Sequence, residues 1–458
     1  MRWIFQAVMA LVLLGASRSS NQPEIFRVRI PLEDRTYLRE LAQRGFDIAG
    51  VDLEAGVFDV LTDSVGVSQL KGAVAVQPQP YQDLFETATG TWKRPSELES
   101  ILRDYEKRFP NLVSVVSTGK SLEGKDIWAA RVTDAFSYPD GGKATILFDA
   151  MHHAREIMTP EIAFDIIDYL ATRASTDEKV QEWLTYNEVW VVPMLNPDGN
   201  SQIWKGNTGW RKNTRGGYGV DINRNYPFEW NACNGSSGQP SSEQYRGSSA
   251  GSEPETNALM AIAKAIQPVF NISYHSTSEI VIYPMSCPSS KPPAAQKALV
   301  ENLGQTVASK LVRDSGSGKY TPGYSYTLLY PVDGGSNDWM YGVLNAFGYV
   351  IEVNSQNQGF QPSFARWRDS TVERNRPGWQ WVLDRTNQMA IRARARAGTQ
   401  VQVTLSNGTT YMKRTADRFG WAHFLVPRQG EYKVADAANP TAGKVVNVTA
   451  GRTLVDLR

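Results

Sequence analysis

The sequence predicts an α/β protein: a mixed, largely parallel central sheet flanked by helices, with a small α+β unit before it and a small β-sandwich after it. Three observations predict it. Short apolar runs alternate with helical patterns from about residue 88 to 392, the rhythm of strands joined by helical crossovers. The segment ahead of it carries two alternating strand patterns around one helical pattern. Beyond residue 396 the helical spacing stops, and short β-rich runs are separated by turns. These changes of texture divide the 458 residues into segments 1–17, 18–88, 89–392 and 393–458, in keeping with a length that exceeds one hydrophobic core.

Each element has a local reason. Residues 1–17 hold Arg2, a mostly apolar run from Ile4 to Leu14 and the small residues Gly15-Ala16-Ser17. That is the layout of a secretory signal, too short to span a bilayer. Phe26-Arg27-Val28-Arg29-Ile30 and Val57-Phe58-Asp59-Val60-Leu61 alternate as strands do, with helical spacing over 34–43 between them. The Gln/Pro stretch Gln77-Pro78-Gln79-Pro80 reads as a linker. In the main unit a helix is expected over 96–109, with Ser96 as its cap and Pro110 beyond its end. Strands are expected over 144–151, 187–194, 269–274 and 348–353. Helices are expected over 159–171, 253–266, 294–314 and, closing the unit, 379–392. The last segment offers strands at 401–405, 432–434 and 445–448, with turns at Asn407-Gly408, Arg428-Gln429-Gly430 and Ala450-Gly451.

Composition excludes several function classes. Lys plus Arg number 48 against 47 Asp plus Glu, a net charge of +1, so neither a nucleic-acid footprint nor a polybasic membrane patch is present. There are two cysteines, Cys233 and Cys287, and no Cys-x-x-Cys zinc motif. In an exported protein they can pair, but spacing alone does not bring their Cα atoms together.

The chemistry gathers around the histidines, of which there are four. His153-Ala154-Arg155-Glu156 follows the run 144–151, and His275 ends a second apolar run. Two imidazoles and one carboxylate at strand ends form a three-ligand set for Zn²⁺ that leaves the fourth position to water, the layout of a catalytic rather than a structural site. Taken alone, an H-x-x-E is as readily a satisfied histidine beside a surface glutamate. Further polar clusters lie downstream: Trp210-Arg211-Lys212, Asp221-Ile222-Asn223-Arg224-Asn225, and Tyr330 ahead of Gly334-Gly335. Glu352 sits inside the apolar run Tyr349-Val350-Ile351-Glu352-Val353, where a carboxylate is costly to bury without a partner or a task.

In this order the motifs resemble the zinc metallocarboxypeptidase family of the pancreatic carboxypeptidase A/B type, nearest its bacterial carboxypeptidase T branch. The resemblance covers residues 91–392 and includes Gly119-Lys120-Ser121-Leu122-Glu123-Gly124-Lys125, Asn196-Pro197-Asp198-Gly199, Tyr283-Pro284 and Asp338-Trp339. It implies a metallocarboxypeptidase-like fold with one Zn²⁺ held by His153, Glu156 and His275. Asp221 is implied to fix the tautomer of His153. Glu352 is implied as general base on the zinc-bound water, and Arg211 as the oxyanion's partner. Asn223, Arg224 and Tyr330 would hold the substrate's terminal carboxylate, and Arg155 would touch substrate further from the cut. His152 and His423 receive no catalytic role.

The side-chain pocket implied by the family comprises Ile282, Ser286, Ser325, Val332, Asn337 and Val350. Asn337 stands where basic-specific members carry aspartate, which favours neutral, apolar or aromatic terminal residues; the nearby acid Asp333 leaves that preference open. The implied whole is a secreted carboxypeptidase (periplasmic in a Gram-negative host) made as a zymogen. Its partners are peptide or protein C-termini and its own propeptide, 18–88, cleaved between about 77 and 91. It is expected to be a monomer with no membrane span. The β unit has a transthyretin-like texture around Arg418-Phe419-Gly420 and Tyr432-Lys433-Val434. Two alternatives are a zinc amidase acting on muropeptides or acyl-amino acids, and a binding protein that retains the fold without the chemistry.

Overall fold

Residues 24–33, 35–78, 91–138 and 141–458 are described in the computed structural model of the chain. The signal-like segment 1–17 and the part of the expected cleavage stretch between 79 and 90 lie outside the described residues.

The main unit is built on an eight-stranded mixed sheet. Its strand order is Thr321–Tyr324, Ile280–Tyr283, Phe347–Val353, Phe270–Ser276, Ala144–Ala150, Asn187–Val192, Asp126–Val132 and Val113–Lys120. The four central strands run parallel, and Ala144–Ala150, Asn187–Val192 and Phe270–Ser276 are buried along their whole length. Burial on both faces explains their continuous apolar runs. Helices Thr159–Arg173, Ala294–Lys310 and Phe364–Arg385 share one apolar core with one face of the sheet. Pro254–Ile266 and Ser336–Leu344 contribute to a second core on the other face. The parallel strands therefore end together at one edge, where open α/β sheets gather their functional groups.

The N-terminal unit is a four-stranded antiparallel sheet, ordered Asp47–Asp52, Val57–Thr62, Phe26–Pro31 and Ala75–Pro78, with helices Arg35–Gln43 and Ser64–Gln69. Its core residues Val28, Leu38, Leu41 and Phe58 form one apolar cluster with Ile280, Ile282, Leu329 and Val350 of the main unit. The C-terminal unit holds a three-stranded and a four-stranded sheet.

Several boundaries differ from the sequence reading; the helix expected over 294–314, for one, ends at Lys310. The closing helix is Phe364–Arg385, not 379–392, and it passes through Pro377. A proline in a helix interior normally breaks it, but packing against helices Ala294–Lys310 and Thr159–Arg173 overrides the local signal here. Residues Ala390–Arg394 are a strand, paired with Trp421–Leu425 and Arg452–Asp456 of the C-terminal unit. The early helix is Leu98–Arg108 with Glu97, not Ser96, at its cap.

Candidate active site

Three loops at the ends of the central strands meet in one cleft. The loop carrying His153 and Glu156 leaves strand Ala144–Ala150 and enters helix Thr159–Arg173. It is held by side-chain amides: Asn196 Nδ2 donates to His152 O (3.0 Å) and Lys212 O (3.1 Å), and Asn200 Nδ2 donates to Ala154 O (3.0 Å). The Asn196-Pro197-Asp198-Gly199 motif is thus a scaffold. A Cβ on Gly199 would stand 2.3 Å from Lys212 O, so only glycine admits this approach. Asp198 accepts from Glu123 N (2.7 Å) and Lys125 Nζ (2.6 Å), which explains the second motif, around Gly124.

His275 lies near the end of Phe270–Ser276, and Glu352 is its direct register neighbour on the parallel strand Phe347–Val353. The donor atoms of His153, Glu156 and His275 fall within 4.8 Å of one another, and all three residues are buried. His153 Nδ1 is 2.7 Å from Glu156 Oε1 and 3.1 Å from His275 Nδ1. Glu156 Oε2 has no hydrogen-bond partner. On the far side of the ring, His153 Nε2 is 3.2 Å from Asp221 Oδ1. Burial disfavours an ionised Asp221, but Arg211, Arg224 and His153 outweigh it and hold the carboxyl well below its usual range. An ionised Asp221 can only accept, so Nε2 carries the proton and Nδ1 presents a lone pair to the centre. Burial, aided by Arg211, lowers the pKa of His153, and burial takes that of His275 to about 3. Two neutral imidazoles and one carboxylate aim acceptor atoms at one point, a donor set that fits a divalent zinc.

Asp221 also anchors the cation beside the centre: Arg211 Nη2 and Nε donate to its Oδ2 at 2.8 and 3.2 Å. Glu352 has its pKa raised well above the usual value, first by burial and then by Glu156.

The structure brings His153, Glu156, Arg211, Asn223, Arg224, Tyr330, Asn337 and Glu352 onto the wall of one cavity. His275 and Asp221 lie behind it. The six expected pocket residues, Ile282, Ser286, Ser325, Val332, Asn337 and Val350, line the same cavity. Asp333 does not; its carboxylate turns away to accept from Cys233 N and Gly235 N, each at 3.0 Å, and from Ser236 Oγ. Asp338 lies beneath the floor, accepting from Ser286 N at 2.8 Å, and burial raises its carboxyl to about 7. His152 is buried, 2.9 Å from Tyr226 Oη, and stacks on His275. Cys233 and Cys287 are paired, with Cα atoms 5.9 Å apart.

Sequence reasoning missed the residues that cover the cleft. Ile48, Ala49 and Gly50 of the N-terminal unit line the cavity, as does Phe360. The ladder slips between Ile48 and Gly50, and Ala49 O accepts from Thr277 Oγ1 at 3.1 Å. Gly50 was the available signal: a glycine within a strand marks a bulge or a close approach. A Cβ there would stand 2.7 Å from Thr277 Oγ1. Arg155 is committed to Asp47 of the same unit and stacks on Phe360.

A family model described as zinc carboxypeptidase matches residues 98–375, more than half of the chain. The chain belongs to the zinc carboxypeptidase family. Among its relatives, zinc carboxypeptidase A 1 of Drosophila melanogaster is 32% identical over 283 residues, covering 59% of this chain and 64% of that one. A zinc carboxypeptidase of Saccharothrix mutabilis subsp. capreolus is 29% identical over 294 residues, covering 62% and 64%. The chain thus spans slightly less than two thirds of the length of these relatives. The crystal structure of carboxypeptidase A from Helicoverpa armigera superposes with a TM-score of 0.65 at 21% identity, covering 78% of this chain and 95% of that one. At that identity the likeness is one of fold, and the fold is that of the metallocarboxypeptidases.

Proposed function

We propose that the protein is a zinc-dependent carboxypeptidase that removes single residues from the C-termini of peptides. One observation carries the reading: Arg224 and Tyr330 share a cavity with His153, Glu156 and Glu352, so a terminal carboxylate and the adjacent peptide bond have places in one cleft. His153, Glu156 and His275 would hold Zn²⁺, which would supply a Lewis acid and lower the pKa of an attacking water. Glu352 accepts the proton of that water and delivers it to the leaving amine. Arg211, braced by Asp221, meets the negative charge that develops on the scissile oxygen, a contact worth about 3 kcal/mol of barrier. Arg224 with Asn223 and Tyr330 clasps the substrate carboxylate, and the clasp restricts cleavage to the last bond. The cavity floor of Ser286 and Asn337 offers no ionised acid to compensate a basic side chain, which supports a preference for neutral apolar or aromatic residues.

The N-terminal unit, 18–88, acts as an inhibitory propeptide whose Ile48–Gly50 segment lines the cleft, and the catalytic unit runs from 89 to the strand Ala390–Arg394. That strand belongs with the β unit that follows it, an auxiliary domain. The disulfide suits a secreted protein. Among the described residues no helix is long and apolar enough to cross a membrane.

The test is to activate the full chain by limited proteolysis and incubate it with peptides of varied C-terminal residue, following products by mass spectrometry beside Glu352→Gln. Stepwise loss of single C-terminal residues, absent in the variant and after chelation, is expected. Intact linear peptides in the presence of bound zinc would refute the reading and direct attention to amide substrates.

A further inference from the structure

The loop 233–236 touches both halves of the substrate site without lining either. Its Gly235 O accepts from Arg224 Nε at 3.1 Å, so it braces the guanidinium assigned to the terminal carboxylate. Its Cys233 N and Gly235 N donate to Asp333 Oδ2, each at 3.0 Å, and Ser236 Oγ donates to Oδ1. Asp333 follows Val332, a wall of the side-chain cavity. The disulfide to Cys287 closes this loop onto the other wall, because Cys287 follows Ser286, on the cavity floor. Both sulfurs rest against Val332 O, Cys287 Sγ at 3.4 Å and Cys233 Sγ at 3.8 Å.

No slack exists in this stack. A Cβ on Gly235 would fall 2.5 Å from Asp333 N and 2.6 Å from Val332 Cα. On the other side a Cβ on Gly334 would fall 2.3 Å from Arg224 O. Backbone lies directly on backbone from the loop through Val332–Gly334 to Arg224, and the ligand-bearing strands take no part.

We propose that the Cys233–Cys287 disulfide and the Asp333 carboxylate are a specificity clamp. They hold Val332 and Ser286 at a fixed separation and Arg224 at a fixed height above them, so that the fit of the terminal side chain and the grip on its carboxylate are set together. Cys233, Cys287 and Asp333 are positioning residues; they touch no reacting atom. Releasing the clamp loosens binding and discrimination and leaves the hydrolytic groups in place. This rests on the carboxypeptidase reading of the cleft.

The test uses the full chain, activated by limited proteolysis, in four forms: native, Cys233→Ser/Cys287→Ser, Asp333→Asn, and native protein treated with a water-soluble phosphine. The phosphine splits the disulfide to two thiols and is itself oxidised to phosphine oxide with oxygen from water. Cys233 is partly exposed, so the reagent reaches the bond in the folded protein. Each form is assayed on blocked peptides that differ only in the last residue. KM for the preferred substrate is expected to rise about tenfold and the spread of kcat/KM across residues to narrow about tenfold. The kcat on that substrate should stay within about twofold and the zinc content unchanged. An unchanged profile with only a lower Tm would assign the disulfide to stability alone and overturn the inference. An equal fall in kcat on every substrate would also overturn it. If a variant fails to fold, phosphine treatment of the native protein decides alone. Native enzyme that releases no residue from any peptide would instead remove the reading of the cleft on which the clamp depends.

Discussion

Asp47 of the N-terminal unit and Arg155 of the cleft form a two-pronged ion pair, Arg155 Nη2 donating to Asp47 Oδ1 at 2.7 Å and Nη1 donating to Oδ2. The Arg155 side chain is 1% exposed and that of Asp47 11%, so the pair is largely shielded from water. Burial alone would raise the pKa of Asp47, but the Arg155 charge and hydrogen bonds bring it below its usual value. Removing one partner of such a pair leaves a buried charge uncompensated, at a cost of about 3–5 kcal/mol. Here that cost falls on one of the contacts that keep the N-terminal unit over the cleft. Asp47→Asn is therefore expected to raise peptide hydrolysis by the uncleaved chain at least about tenfold, since about 1.4 kcal/mol suffices for that. Assay of the uncleaved chain beside the proteolysed form checks it; equal latency in variant and native protein would show that Asp47 does not hold the unit in place.

Asp221 links His153 to Arg211: its Oδ1 faces His153 Nε2 and its Oδ2 accepts from Arg211. Asp221→Asn keeps the shape but loses the charge that fixes His153 with its Nδ1 lone pair inward. Zinc affinity is expected to fall by about 10–100-fold, read by competition with a chromogenic chelator. Stripping the metal from native protein should also lower Tm, since a ligand bound only to the folded state stabilises it by mass action. Unaltered zinc affinity in the variant would mean that His153 needs no partner.

The residues that converge at the candidate metal centre were legible because chemistry restricts them. His153 and Glu156 follow one apolar run, His275 ends another and Glu352 interrupts a third, so each stands out against its surroundings. Asn223 and Arg224 were legible only as a motif, since they lie in a loop whose shape no periodicity predicts. Which residues of the N-terminal unit line the cleft was not legible. Strand Asp47–Asp52 is short, carries a bulge, and has Gly50 where a strand reading expects a side chain. The pairing of Cys233 with Cys287 depends on a distance between loops, which spacing does not encode. Ala390–Arg394 resembled a helix end because it extends a helical, Arg-rich stretch; its partners Trp421–Leu425 and Arg452–Asp456 lie far along the chain.

Glu279, just beyond the cleft rim, predicts a pH dependence. It is buried in a left-handed conformation (φ 55°), and its Oε1 accepts from Asp314 N at 2.6 Å. Burial first, and then the Asp314 charge, push its pKa up to about 7. A folded-state pKa raised above the unfolded one gives a contribution fully present below about pH 4.5 and lost as pH rises through about 7. Glu279→Gln keeps an acceptor for Asp314 N and cannot ionise. It is expected to be neutral at pH 5 and to stabilise by on the order of 1–2 kcal/mol at pH 8. Thermal unfolding of both proteins at the two pH values checks this; a difference of equal size at both would sink it.

Arg414 predicts how the C-terminal unit is held to the catalytic one. It is 2% exposed, and its guanidinium donates to Asn345 O, to Gln267 O at 2.9 Å and to Pro268 O at 2.6 Å. Asn345 and Gln267 are the left-handed caps that end helices Ser336–Leu344 and Pro254–Ile266. Orphan carbonyls and the negative end of the helix dipole favour a cation there. Burial lowers the pKa of Arg414 to about 10, which leaves it charged at neutral pH. Arg414→Met keeps much of the side-chain bulk but leaves buried carbonyls without a donor. It is expected to cost about 2–4 kcal/mol in chemical denaturation. Arg414→Lys should recover only part of this, because an ammonium is a point charge and cannot span three carbonyls with a planar fork. The helix Ser336–Leu344 also carries Asn337 of the side-chain cavity, yet its first turn is held independently by Asn223 Oδ1 at Ser336 N (2.9 Å). KM for peptides should therefore stay the same while stability falls. A rise in KM in Arg414→Met would instead show that the β unit sets the position of the substrate pocket through this helix.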